Sequence, residues 1–199
     1  MAGQALIVID VQNDFCPGGA LAVSEGDQIV PLINRLITEY DHVILTQDWH
    51  PAGHSSFASS HPGKLPFETI AMPYGEQTLW PDHCVQGTDG AAFHPDLEWT
   101  RAELVVRKGF RAAIDSYSAF FENDRQTPTG LGGYLKERAI GEIVLAGLAT
   151  DFCVAYSALD AVKLGFKASV LLEASRGINL NGSLEAMTGT MREAGVELV

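Results

Sequence analysis

The sequence carries only three cysteines, Cys16, Cys84 and Cys153, an odd and widely spaced set with no CxxC pair. That argues against a disulfide framework or a structural zinc knuckle and leaves room for a reactive thiol. Basic residues are also scarce. Thirteen Lys and Arg stand against twenty-five Asp and Glu, and the formal charge of −12 is spread along the chain instead of collecting in a tail. Such a charge serves solubility and offers a nucleic acid no surface to bind. No apolar run approaches the ~20 residues needed to cross a bilayer, and no basic stretch leading into an apolar one follows Met1. The expectation is a soluble, unexported, cytoplasmic protein without a membrane partner. No GxGxxG or Walker-type loop follows a strand-like run, so a noncatalytic nucleotide-binding module is disfavoured. No internal repeat, low-complexity tract or linker divides the chain.

At 199 residues and 46% apolar content, the chain can bury a substantial core, and a single domain over 1–199 is expected. Apolar, β-branched runs alternate with amphipathic stretches. Ala5 to Ile9, Ile29 to Ile37 and Val43 to Leu45 read as strand, helix, strand. The alternation resumes with Leu104 to Val106, Leu131 to Ala139, Ile143 to Leu148, Val154 to Leu164, Ala168 to Leu172, Ser183 to Ala194 and Val196 to Val199. This pattern predicts a parallel sheet wrapped by helices, an α/β fold. Gly165 and Gly195 fall where two helices need a left-handed terminating residue. From about 47 to 102 the texture changes to Pro, Gly, His, Ser and Trp with little periodicity. That is too long for an ordinary connection, and such loops usually carry function.

In an open parallel sheet, ligands bind beyond the carboxyl ends of the strands. Asp10 and Asp48 end the first two strands, Lys108 follows the third, and Cys153 follows the fourth after Ala149, Thr150 and Asp151. Taken singly, each is more commonly a surface charge or, for Cys153, a small buried hydrophobe. Their convergence on one edge carries the weight. Cys153 falls in the first turn of a helix that Thr150 or Asp151 could cap, where the dipole, free N–H groups and the Lys108 ammonium would favour a thiolate. Asp10 could take the thiol proton and return it to a leaving amine if its own pKa is raised. These three make a Cys, Asp, Lys triad. No histidine stands near those strand ends, which disfavours a papain-type arrangement.

A second constellation is Asp48, His50, His54 and, across the loop, His83. Residues two apart on an extended segment point the same way, so Asp48 and His50 can share one ion with His83 brought from the far side. One carboxylate and two imidazoles suit zinc, iron or manganese with positions open to water or substrate. Phe15, Trp80 and Tyr117 could stack on a flat ring, whereas Phe57, Phe67, Phe120 and Phe121 are expected in the core.

These residues resemble one family, the nicotinamidases within the isochorismatase-like cysteine hydrolases. The matching stretches are Val8 to Cys16 (VIDVQNDFC) with Pro17 to Ala20, Thr46 to His50 (TQDWH), Trp80 to Gly87 (WPDHCVQG), Lys108 to Ser118 and Ala146 to Cys153 (AGLATDFC). They run collinearly over nearly the whole chain. The first and last mark the superfamily; Asp-x-His and the WPxHC segment are particular to nicotinamidases.

The resemblance implies a three-layer α/β/α, doubly wound, mainly parallel sheet. It implies catalytic Asp10, Lys108 and Cys153, and one divalent metal, zinc foremost, on Asp48, His50 and His83. It also implies an oxyanion hole from the N–H groups of Ala149 and Cys153 after a cis Leu148–Ala149 peptide, and ring packing by Phe15, Trp80 and Tyr117. The family varies in whether a histidine near His54 touches the metal, so His54 is expected as a further ligand or behind the ligands. Phe152 stands where some relatives carry histidine. The implied reaction is hydrolysis of nicotinamide to nicotinate and ammonia through a thioester, with pyrazinamide as a side substrate. The alternative is a sister hydrolase acting on another amide, an N-carbamoyl compound or isochorismate. A homo-oligomer is left open.

Overall fold

The run Ala5 to Ile9 is buried at every residue, so both of its faces must be covered. The computed structural model describes residues 3–199 and shows how; the reading of the chain from Met1 concerns residues outside that range. In chain order the elements are β1 (Gly3–Ile9), α1 (Val30–Glu39), β2 (His42–Asp48), the short β3 (Thr69–Met72) and β4 (Gly75–Thr78), β5 (Leu104–Lys108), α2 (Leu131–Glu137), β6 (Ile140–Leu148), α3 (Ala155–Lys163), β7 (Lys167–Arg176), α4 (Ser183–Glu193) and β8 (Glu197–Leu198). Six strands form one sheet in the order β5-β2-β1-β6-β7-β8, and every pairing within it is parallel.

Alternation along β1 sorts the two cores. Leu6 and Val8 pack with Val30, Ile33 and Ile37 of α1. Ala5, Ile7 and Ile9 face the opposite layer, with Leu131 and Leu135 of α2, Ala158 of α3 and Met191 of α4. Each buried Leu, Ile or Val contributes about 1.5–3 kcal/mol, so the two layers hold the sheet from both sides. This is the expected α/β/α arrangement. Helices α3 and α4 end where Gly165 (φ 90°) and Gly195 (φ 88°) turn left-handed, as their positions predicted.

Strand order places the site. From β1 the chain moves outward through β2 to β5, then returns to lay β6 on the other side of β1. The connections leaving β1 and β6 diverge there, opening a crevice beyond their carboxyl ends. Between β2 and β5 the expected irregular stretch contains an element the sequence did not signal, the antiparallel pair β3–β4. Its strands are four residues each, and Gln77 is the only fully buried side chain among them. One inward residue leaves no alternation to detect. Phe67 also departs from expectation: it is 44% exposed, left-handed at φ 73°, and meets Trp80 edge-on instead of entering the core. Phe57 and Phe120 are buried as expected, and Phe121 packs against the core. Among the described residues no helix is long and apolar enough to cross a membrane.

Candidate active site

Asp48 and Lys108 are register partners at the ends of β2 and β5, with side chains on the α2–α4 face. Strict alternation would put Asp10 on the other face with Leu6 and Val8. Instead Asp10 is left-handed, at φ 47°, a conformation aspartate tolerates better than most residues, and this turns it toward Lys108. Thr46 fixes the turn: its Oγ1 accepts from the Asp10 N–H at 3.1 Å and donates to Asp10 Oδ1 at 2.6 Å. Gln12 ties the two strand ends together, accepting from the Asp48 N–H at 2.7 Å and donating to the Asp48 carbonyl at 2.9 Å.

The fully buried Lys108 ammonium is the centre of the cluster. It donates to Asp48 Oδ1 at 3.0 Å, to the Ser116 carbonyl at 3.0 Å and to Cys153 Sγ at 3.4 Å. Asp10 Oδ2 lies 2.8 Å away as its ion-pair partner. The nearby Asp10 helps hold the proton on the Cys153 sulfur.

Burial pushes the Asp10 carboxyl above its ordinary range; Lys108 only partly opposes this, and Asp48 adds to it. Burial also works against the charge on Lys108, but Asp10 and Asp48 prevail and hold its pKa well above the usual value. Burial raises Cys153 well above the ordinary thiol range; Lys108 opposes this, and Asp10 and Asp48 add to it. With both pKa values raised, the arrangement suits a proton that passes between sulfur and Asp10.

The expected cap on the Cys153 helix is also absent. Thr150–Val154 form one wide π turn leading into α3, with no side-chain cap. The Asp151 carboxylate points away instead, accepting from the N–H groups of Ile178 (2.9 Å) and Asn179 (2.7 Å) and from the Ser183 hydroxyl. The Leu148–Ala149 peptide is cis. Among the described residues nothing accepts a hydrogen bond from the Ala149 N–H, and Ala149 and Cys153 both line the cleft.

Beside this cluster, His50 Nε2 and His83 Nε2 lie 3.0 Å and 3.2 Å from Asp48 Oδ2. His50 Nδ1 is 2.9 Å from the Gly109 carbonyl and His83 Nδ1 is 2.8 Å from the Pro81 carbonyl. A carbonyl only accepts, so each Nδ1 carries a proton and Nε2 is the nitrogen that each ring presents to Asp48. Three lone pairs facing one point make a donor set for a divalent cation, with both imidazoles oriented from behind by backbone carbonyls. Burial opposes ionisation of Asp48, but His50 and Lys108 outweigh it and hold its carboxyl well below the carboxylate range.

His83 reaches the set because its segment bridges to that of His50: the His50 N–H donates to the Cys84 carbonyl at 3.0 Å and the Gln86 N–H to the His50 carbonyl at 2.8 Å. Phe57 packs edge-on against the rings of His50, His54 and His83. His54 lies outside that set and falls with His50 and Asp115 in a second group of possible donors. Its Nδ1 accepts from the Ser56 N–H at 3.1 Å, and its Nε2–H faces the carbonyls of Arg111 (2.9 Å) and Ile114 (3.2 Å). It stands behind His50, ring centroids 4.3 Å apart.

Gly109 is required here. At φ 65° a Cβ would collide with the His50 ring. Gly109→Ala should therefore displace His50 and lower divalent-cation affinity about 10-fold or more. Metal analysis of the purified variant after dialysis checks this; full cation content would show that His50 is not a ligand.

A narrow cleft lies over the thiol and is walled by Phe15, Leu21, Trp80, Tyr117, Phe152 and Ile178, with Asp48, His83, Asp115 and Cys153 at its polar end. All three ring-packing candidates are thus together. The sequence reading missed Phe152 as a wall, which stands edge-on to Trp80 at 4.9 Å and to Tyr117 at 5.7 Å. It also missed Gln12 and Thr46, although both sit inside the quoted motifs, and Asp115, which sits two residues before Tyr117 where nothing marks it as buried.

Comparison with known proteins agrees with this architecture. The isochorismatase domain model matches residues 4–199. A nicotinamidase of Acinetobacter baylyi is 56% identical over 195 residues, covering 98% of this chain and 91% of the relative. A solved nicotinamidase/pyrazinamidase of Acinetobacter baumanii superposes with a TM-score of 0.98 at 58% identity, covering 100% of this chain and 96% of that one. A pyrazinamidase of Pyrococcus horikoshii, solved in complex with zinc, gives a TM-score of 0.80 at 34% identity over 99% of this chain and 98% of its own. The chain belongs to the isochorismatase family.

Proposed function

We propose that this chain is a nicotinamidase: a cysteine amidohydrolase of one domain over 1–199 that converts nicotinamide to nicotinate and ammonia and also accepts pyrazinamide. The observation that carries the reading is the meeting of Asp10, Lys108 and Cys153 at the foot of an aromatic cleft beside the Asp48–His50–His83 donor set. Region 47–102 contributes the donors and one cleft wall. Phe15, Trp80 and Tyr117 hold the pyridine ring, aided by Phe152.

Cys153 passes its proton to Asp10 and attacks the carboxamide carbon. The N–H groups of Ala149 and Cys153 hold the developing oxyanion. Collapse expels ammonia, which leaves with the proton from Asp10, and a thioester remains on Cys153. Water then attacks it; Asp10 takes the water proton and returns it to the departing sulfur, releasing nicotinate. Lys108 keeps its charge throughout and offsets the negative charge that alternates between Asp10 and sulfur. Asp48, His50 and His83 would hold a divalent cation, zinc by analogy with the Pyrococcus protein, and that ion supplies a Lewis acid for the pyridine nitrogen at the polar end of the cleft.

Ammonia release from nicotinamide, with and without a chelator, tests this. Turnover should fall at least about 10-fold on chelation and return with added divalent cation. A purified protein without stoichiometric metal that leaves nicotinamide intact and hydrolyses an N-carbamoyl compound would assign it to the sister hydrolases.

A further inference from the structure

The β3–β4 pair takes no part in the reaction just described, and its one fully buried side chain is polar. That side chain, Gln77, is 1% exposed and does not line the cleft. Its Nε2 lies 2.7 Å from the Thr78 carbonyl, 2.8 Å from Asp115 Oδ2 and 2.9 Å from the Tyr117 hydroxyl oxygen, so two hydrogens are shared among three acceptors. Its Oε1 accepts from Asn123 Nδ2 at 3.1 Å and from the Tyr74 hydroxyl at 3.2 Å. A buried amide is costly unless it is hydrogen-bonded, and one engaged through both of its polar atoms is held in a single orientation.

Two of these contacts converge on Tyr117. Its hydroxyl oxygen accepts from Gln77 and, at 3.1 Å, from the Trp80 indole N–H. Its backbone N–H donates at 3.0 Å to Oδ1 of Asn123, whose amide nitrogen in turn donates to Gln77. Gln77 therefore grips Tyr117 at both ends, directly at the ring hydroxyl and through Asn123 at the main chain. Trp80 follows Gln77 by three residues, so one short segment brings both donors to the same oxygen. The Tyr117 and Trp80 rings stand at 79° with centroids 6.1 Å apart. They are two walls of the cleft, and Phe152 meets both edge-on. Among the described residues, Asp10, Lys108 and Cys153 make no hydrogen bond to Gln77, Asn123, Tyr117 or Trp80.

We infer that Gln77 is a positioning residue for ring recognition: through the Tyr117 hydroxyl and Asn123 it sets the angle between the Tyr117 and Trp80 walls. It thereby governs how tightly the cleft takes a flat ring, without touching the groups that break the bond. The inference rests on the nicotinamidase reading above.

Steady-state kinetics of the holoenzyme on nicotinamide test it. Gln77→Met keeps the length of the side chain and removes its hydrogen bonds. KM should rise about 3- to 10-fold, the worth of a hydrogen bond, with kcat within about twofold of the parent. Tyr117→Phe removes the shared oxygen and should raise KM as well. In the double variant the two effects should fall short of multiplying, because both remove the same bond. A role in folding alone would lower the denaturant midpoint and leave KM at the parent's value. That result would overturn the inference, as would effects that multiply fully or a fall in kcat in place of the rise in KM. Alkylation of Cys153 by iodoacetamide, an amide without a ring, should proceed in Gln77→Met at the parent's rate; a slowed reaction would place the effect at the thiol and also overturn it. If Gln77→Met does not fold, Asn123→Ala removes the other arm from Tyr117 and should raise KM in the same direction; an unchanged KM there counts against the proposal. A parent enzyme that leaves nicotinamide intact sinks the function reading and this inference with it, whereas an active parent with an unmoved KM in the variants sinks this inference alone.

Discussion

Cys153→Ala should abolish nicotinamide hydrolysis, lowering kcat on the order of 10⁴-fold or more, while nicotinamide still binds with an affinity close to the parent's. The two effects separate because the thiol is the only group that forms a bond to the substrate, whereas the ring is held by Phe15, Trp80, Tyr117 and Phe152. Neither remaining cysteine can substitute. Cys16 is buried with its pKa pushed up to about 11 by burial and Asp27, and Cys84 is fully buried and held well above the thiol range by burial and the charges of Asp48 and Asp10. Trp80 in the cleft wall provides a fluorescence signal for binding. Residual turnover within about tenfold of the parent would remove Cys153 from the nucleophile role.

Lys108→Met should cost both activity and stability. Its ammonium stands between Asp10 Oδ2 at 2.8 Å and Asp48 Oδ1 at 3.0 Å, and both carboxylates are at least 97% buried. Removing one partner of a buried ion pair leaves an uncompensated charge and costs about 3–5 kcal/mol, against a total stability of about 5–15 kcal/mol for a domain. Met matches the stem of the lysine, so the loss is electrostatic and not a cavity effect. A shift in the denaturant midpoint without a change in slope measures it. The double variant Lys108→Met/Asp10→Asn should recover part of the stability, since one of the two stranded charges is gone, but none of the turnover. A single variant as stable as the parent would mean that the cluster is not held by charge.

Much of this site was legible because parallel sheets place strand-end residues at one edge. Asp10, Asp48 and Lys108 each follow an apolar β-branched run, and Cys153 follows the fourth such run by five residues, so topology alone brings them together. Asp48 and His50 were legible through two-residue spacing in an extended segment. Asp115 and Gln77 were not. They are 38 positions apart, each lies in a stretch without periodicity, and nothing local distinguishes a buried acid there from the other acids of a chain with charge −12. The β3–β4 pair escaped for the same reason. One local inference failed. Thr150 or Asp151 was read as a helix cap by proximity, but neither caps it, and the 177–183 segment offers Asp151 two backbone N–H groups and a hydroxyl.

The sequence by itself determined the α/β class, the order of the strands along the chain and the chemical groups available at their ends, because side-chain periodicity and strand-to-helix alternation are local properties. Only the tertiary structure decided the protonation of those groups, the nitrogen that each histidine presents, and which acids answer which cations. Those depend on burial and on distances of 3 to 4 Å between residues far apart in the chain, and Coulomb energies at such range change severalfold with the surroundings.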